Sequence, residues 1–173
     1  MQEGTAVTEP KGGELADLYV RHVPAANRLA FLLTQNRAQA EDLVHDAFVR
    51  CVGRFGHLRA HEAFDAYLRR TIVNLHTSRL RRVRVEREWL SKESGRVERV
   101  ATSGLPDVAD REDMWRRLAT LPPRQRAVLV LRYYEDLSER ETADALRCSV
   151  AAVKSLTARA TAALREGIRG EDA

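Results

Sequence analysis

The sequence predicts an all-α chain: two small helical domains joined by a flexible linker, the C-terminal one containing a helix-turn-helix. Three observations carry this. Hydrophobic residues make up 44% of the 173 residues and aromatic ones only 6%, a balance that suits helices packed through Ala, Leu and Val better than a strand-rich sandwich. Apolar residues recur at the i, i+3, i+4 spacing of a helix over most of the chain. Past residue 82 that period fades, and Ala101-Thr102-Ser103-Gly104-Leu105-Pro106-Asp107 has turn and linker composition. The expected division is a tail at 1–13, a first domain at 14–87, a linker at 88–111, a second domain at 112–168 and a short tail at 169–173.

Taken in order, residues 1–13 hold Gly4, Pro10, Gly12 and Gly13 among polar neighbours and read as flexible. Leu15, Leu18 and Tyr19 open a helix that Pro24 is expected to end or kink, and Leu29, Ala30 and Leu33 continue its stripe. Asn36-Arg37-Ala38-Gln39 has the form of a capping box, in which Asn36 accepts from a backbone N–H and Gln39 reaches back. In the helix it opens, Ala40, Leu43, Val44, Ala47, Phe48, Cys51 and Val52 fall on one side. Glu41, Asp42, His45 and Asp46 fall on the other, and Gly53 and Gly56 end the helix. A longer helix, from about 63 to 82, buries Phe64, Tyr67, Leu68, Ile72 and Leu75 and turns Arg69, Arg70, Arg79, Arg81 and Arg82 outward.

The second domain begins with Met114, Trp115, Leu118 and Leu121 on one helix. Pro122-Pro123 breaks it, with Pro123 suited to a first helical turn, and Ala127, Val128, Leu131 and Tyr134 stripe the next helix. Ser138-Glu139-Arg140-Glu141 is a second capping box, opening a short helix that turns Thr142, Ala143 and Leu146 inward. Arg147-Cys148-Ser149 makes the turn. Ser149 caps a last helix with Val150, Val153, Thr157, Ala160 and Leu164 on or near one side and Lys154, Ser155, Thr157 and Arg159 as outward donors. A short positioning helix, a tight turn and an amphipathic second helix form the pattern of a helix-turn-helix, whose second helix enters a major groove. The same spacing also fits an ordinary αα-hairpin with a solvated face.

The formal charge of +4 is concentrated. Residues 69–87 carry seven basic side chains and one acidic, whereas residues 1–68 carry seven and nine. A local basic stripe with Asn74, His76, Thr77 and Ser78 interspersed suits phosphates and base edges, because Lys and Arg near phosphates release condensed counterions. Other classes fall away. The N-terminal residues lack a secretory pattern and no apolar run approaches the roughly 18 residues of a membrane span, so a cytoplasmic protein with no membrane insertion is expected. Cys51 and Cys148 lie far apart without ligand spacing, so no cofactor or metal is expected. Glu41 with His45, or Asp42 with Asp46, sit one helical turn apart, but no third ligand, Gly-rich phosphate loop or nucleophile context accompanies them, so no catalytic residue is expected.

Two sets of motifs, in order along the chain, carry a resemblance. Leu121-Pro122-Pro123-Arg124-Gln125-Arg126, Leu131-Arg132-Tyr133-Tyr134, Leu137-Ser138-Glu139-Arg140-Glu141-Thr142-Ala143 and Ala152-Val153-Lys154-Ser155 resemble the C-terminal promoter-reading domain of bacterial extracytoplasmic-function (ECF) sigma factors. Ala40-Glu41-Asp42-Leu43-Val44-His45-Asp46-Ala47-Phe48, with Ala66-Tyr67-Leu68-Arg69-Arg70 and Ile72-Val73-Asn74, resembles their N-terminal domain.

The resemblance implies a sigma factor, without catalysis of its own, that lends promoter specificity to RNA polymerase core. Its partners are the clamp helices of the largest subunit, the flap of the second-largest, promoter DNA and, for many members, an anti-sigma factor. Carried onto this chain, Glu41, Asp42, His45 and Asp46 bind polymerase. A loop at about Leu58–Ala63 and the helix after it read the minus-10 element through Arg59, His61, Glu62, Arg69, Arg70, Asn74, Thr77, Arg79, Arg81 and Arg82. Ser149, Lys154, Ser155 and Arg159 read the minus-35 element. A stand-alone helix-turn-helix regulator is the rival reading; it explains residues 121–165 and leaves the acidic and basic helices of the first domain without a task.

Overall fold

The computed structural model describes residues 12–53, 61–90 and 109–171, among which there is no strand. The first unit packs α1 (Gly12–Thr34), α2 (Arg37–Val52) and α3 (His61–Leu90) around one core. Phe64 of α3 sits at its centre, fully buried, with the Phe48 ring edge-on at 5.7 Å and the His22 ring at 5.3 Å. Leu29, Leu33, Leu43, Leu68 and Ile72 close the core around it. This is the surface that the i, i+3, i+4 spacing selects.

α1 is one continuous helix through Pro24, which the sequence led us to expect as an end or a kink. Pro24 is exposed, so the carbonyl that loses its donor there faces water, and the apolar face on either side stays anchored in the core. Gly12 and Gly13, expected in the tail, form the first turn of α1, and residues 1–11 lie outside the described residues. Gln35, in the left-handed region at φ 54, ends the helix, and the Asn36 side chain accepts from the Gln39 backbone N–H at 3.0 Å to start α2. Gly53 caps α2 in a right-handed conformation, while Gly56 lies outside the described residues.

The second unit consists of α4 (Ala109–Thr120), α5 (Pro123–Leu129), a π-helical turn (Val130–Tyr134), α6 (Glu139–Leu146) and α7 (Val150–Glu171). Pro123 opens α5 at its first position, as expected. The capping box at α6 is complete: Ser138 Oγ accepts from the Glu141 N–H, and Glu141 accepts from the Ser138 N–H at 2.8 Å. Arg147, left-handed at φ 49, then turns the chain, and the Cys148 N–H closes the turn on the Ala143 carbonyl at 3.0 Å. Ser149 Oγ accepts from the Ala152 N–H, starting α7. Val153 and Ala160 seat α7 on α5 and α6, with Leu164 partly buried and Val150 exposed.

Three expectations change here. Met114 is exposed rather than in the core, although Trp115, Leu118 and Leu121 do pack. Tyr134, expected on the buried stripe, is 45% exposed beside Tyr133 at 70%. The π-turn is the reason. Its Glu135 N–H bonds five residues back to Val130, and at this wider winding Tyr134, the last residue of the turn, falls short of the α-helical stripe that Ala127, Val128 and Leu131 form. α3 runs past the expected 82 to Leu90, α4 begins at Ala109 and α7 reaches Glu171, so helix occupies both ends of the 88–111 segment and part of 169–173. Residues 91–108 lie outside the described residues.

The two units pack against each other. Phe31 of α1 meets Trp115 of α4 with ring centroids 5.7 Å apart, and α3 lies along α6. Arg126 of α5 is the notable contact: its side chain is buried, and its Nε donates to the Leu33 carbonyl at 3.2 Å. Leu33 lies in the last turn of α1, where carbonyls lack helical donors, so this guanidinium caps a helix 93 residues away.

Candidate protein and nucleic-acid interfaces

The apolar stripe of α2 is buried, which turns Glu41, Asp42, His45 and Asp46 outward together on the opposite side. All four are exposed. Glu41 is held by Arg37 one turn earlier at 2.9 Å, and Asp46 by Arg79 of α3 at 2.8 Å. Both pairs are open to solvent, where such contacts contribute only a few tenths to about 1 kcal/mol, so a protein partner can displace them at small cost. The result is an acidic helix face on a rigid three-helix support.

α3 positions the basic stripe. Arg70, Arg81 and Arg82 are exposed; Arg69, Asn74 and Arg79 are half-buried. Arg69 is clamped from both sides, with Nε on Asp65 at 2.9 Å and Nη1 on Glu135 of the second unit at 3.2 Å. Burial works against its charge, but Glu135 and Asp65 more than offset that, and its pKa is raised. Thr77, expected as a DNA contact, is buried, with its hydroxyl on the Ala145 carbonyl of α6 at 3.5 Å. In this arrangement it cannot meet a strand. Arg59 lies outside the described residues. His61 and Glu62 belong to the first turn of α3 rather than to a loop running to residue 63, and their side chains lie outside the described residues.

On α7, Lys154, Ser155 and Arg159 are exposed on one side. Arg159 Nη2 donates to Ser155 Oγ at 2.8 Å, one helical turn away, and Lys154 Nζ lies 3.6 Å from Glu139 at the start of α6. These three present a small donor cluster to solvent. Ser149 is exposed but its hydroxyl caps α7, and Thr157 is half-buried with its hydroxyl on the Val153 carbonyl.

The electrostatics single out three further groups. His76, buried on α3, is held down to about 4, first by burial and then by the Arg126 and Arg79 guanidiniums. Burial alone lowers Arg126 to about 10. Glu141, fully exposed, has its carboxyl lowered mainly by its hydrogen bonds with Ser138, with Arg70 of α3 adding to the effect. Sequence reasoning missed Glu135, Asp65 and Arg126 as partners of the basic helix. Glu135 and Arg126 come from the other unit, so local spacing carries no signal for them, whereas Asp65 stands one helical turn before Arg69 and its i, i+4 spacing could have found that pair. Among the described residues no group of three His, Cys, Asp or Glu side chains is placed to hold a metal ion, and no helix is long and apolar enough to cross a membrane.

Comparison with known proteins gives a consistent result. A family model described as Sigma-70 region 2 matches residues 18–85, and one described as Sigma-70, region 4 matches residues 111–164. The chain is 37% identical over 164 residues to an RNA polymerase sigma-E factor of Streptomyces avermitilis, covering 89% of this chain and 85% of that one. It is 30% identical to the ECF RNA polymerase sigma factor SigE of Mycolicibacterium smegmatis, covering 94% of this chain and 66% of the other. In fold it is similar to the sigma factor RpoE of Bartonella quintana, solved in complex with the anti-sigma factor NepR. The TM-score is 0.62 at 23% identity, covering 89% and 96% of the two chains.

Proposed function

The chain belongs to the sigma-70 family as a sigma factor of the ECF type, and from that premise we propose which of its surfaces carry each task. It binds RNA polymerase core and directs promoter recognition, melting and initiation. The exposed acidic face of α2, with Glu41, Asp42, His45 and Asp46, is the docking surface for the clamp helices of the largest subunit; carboxylates there steer and orient a basic partner. The second unit docks on the flap of the second-largest.

The basic side of α3 holds the minus-10 region. Arg69, Arg70, Arg79, Arg81 and Arg82 meet phosphates, and Asn74 offers an amide edge to an extruded base. Arg59, His61, Glu62 and, in an opened chain, Thr77 extend this surface. Unstacking costs a few kcal/mol per step, which a row of cations and a base pocket together offset. α7 enters the major groove at the minus-35 element with Lys154, Ser155 and Arg159, while Ser149 fixes the start of that helix.

These roles put the working units at 14–87 and 112–168, joined through 88–111. Nothing in them requires a cofactor or catalysis, because the chemistry of RNA synthesis belongs to core. A cytoplasmic location accords with work on polymerase and DNA. An anti-sigma protein is a further partner, suggested by the Bartonella quintana neighbour solved with one.

The observation that carries the reading is the pairing of two surfaces on one three-helix unit: an acidic helix face beside a basic helix, with Asp46 and Arg79 in contact at their border. A stand-alone DNA-binding regulator needs only the second. Asp42→Lys with Asp46→Lys should weaken binding to purified core at least about tenfold, as for opposed charges at an interface, while leaving the melting temperature nearly unchanged because both side chains are exposed. Unchanged core affinity would remove α2 as the docking surface.

A further inference from the structure

Lys154 and Arg159, on the exposed side of α7, are held in different ways. Arg159 rests on neutral groups, with Nη2 on Ser155 Oγ at 2.8 Å and Nε on the Ser155 carbonyl at 3.4 Å. Lys154 Nζ instead lies 3.6 Å from a carboxylate oxygen of Glu139, the first residue of α6. Resting on the reading of α7 as the minus-35 helix, we infer that Glu139 is a specificity-determining residue. It balances the charge of Lys154, which removes that cation's pull on phosphates of any sequence, and it leaves the lysine's remaining N–H groups to base acceptors.

The pair acts unequally on two kinds of attraction. Sequence-independent binding of duplex DNA comes from counterions released when protein cations approach phosphates, so it follows net charge. A hydrogen bond to guanine O6 or N7 follows the direction of the donor. An ammonium has three N–H donors. With one directed at Glu139, two are left, so pairing cancels much of the first attraction and little of the second.

The place of Glu139 in the fold adds to this. The first helix of a helix-turn-helix crosses the DNA backbone, and Glu139 opens that helix with its side chain 42% exposed. There it repels a phosphate that approaches Lys154 out of register, whereas it can accept from a cytosine N4 amine. The surrounding charge accords with such a reader: residues 112–173 carry eleven basic and ten acidic side chains, which leaves little net charge to hold the unit on DNA of any sequence. An acid in a first helical turn also complements the helix dipole. That role is independent of Lys154, and a Lys154→Ala background separates the two.

Glu139→Gln keeps the shape of the side chain and frees Lys154. With the full chain bound to purified core, labelled random-sequence duplex should bind about 3-fold more tightly at low salt. The plot of log affinity against log salt should steepen by about 0.9, the signature of one added phosphate contact. Affinity for a promoter selected from a library with the parent protein should rise less, so that the ratio of promoter to random binding falls about 2-fold. In a Lys154→Ala background, Glu139→Gln should change neither affinity. Unchanged random-duplex binding overturns the inference, as does an equal rise for promoter and random duplex. A gain as large in the Lys154→Ala background overturns it too, and so does one from Asp144→Asn, which removes the same charge from another exposed position of α6. Arg159→Ala reports on the underlying reading. If it weakens promoter binding while Glu139→Gln has no effect, α7 stays the reader and the role of Glu139 falls; if neither variant changes binding, α7 is not the DNA helix.

Discussion

His76 gives the clearest single-residue signature. Its pKa of about 4, against an ordinary 6.5, means that between these values the unfolded chain binds a proton that the folded chain does not. Stability therefore rises with pH across that window and falls as pH drops through it, by up to about 3 kcal/mol from this residue. The groups facing it, Arg126 from α5 and Arg79 from its own helix, are cations throughout the range. We expect the melting temperature to fall between pH 6.5 and 4, and His76→Leu to flatten that fall; parallel curves for the two proteins would contradict the assignment. None of this was legible locally. His76 reads in sequence as one more hydrogen-bonding group on a basic helix, and Arg126 as a polar residue after a Pro-Pro break. Their burial depends on the end of α1 meeting α5.

Helix boundaries were legible where side chains set them nearby. Asn36, Ser138 and Ser149 each sit at a helix start and satisfy an N–H three residues on; the box expected at Asn36 is only half made, because the Asn36 N–H donates to Thr34 Oγ1 at 3.3 Å rather than to Gln39. Ser138→Ala removes half of the complete box and should cost about 1 kcal/mol, read as a lower denaturant midpoint with unchanged slope; no loss would mean that α6 is held by packing alone. The apolar stripes of α2 and α3 were equally plain. Elements shaped by remote packing were not. Pro24 inside α1 is tolerated because of what lies to either side of it, and the π-turn at Val130–Tyr134 has no composition of its own. That turn decides that Tyr133 and Tyr134 face water.

Charge distribution marked out the acidic face of α2 and the basic side of α3 but not how the units meet. An acidic face, a basic helix and a nearly neutral second unit were all visible in the order of residues. That Glu135 of the second unit lies against Arg69 of the first depends on a closed packing that no motif encodes. The consequence is a molecule in which the acidic face of α2 is open while part of the basic helix α3 is covered. On α7, by contrast, Lys154, Ser155 and Arg159 are already exposed.

The most direct test is in vitro transcription from a promoter library, using purified core with and without this protein across a range of salt. Promoter-specific transcripts should appear only when both are present. With Lys154→Ala and Arg159→Ala their yield should drop, and its dependence on salt should become shallower as phosphate contacts are lost. Transcripts that never depend on the protein, or tight binding to duplex DNA with no affinity for core, would contradict the account.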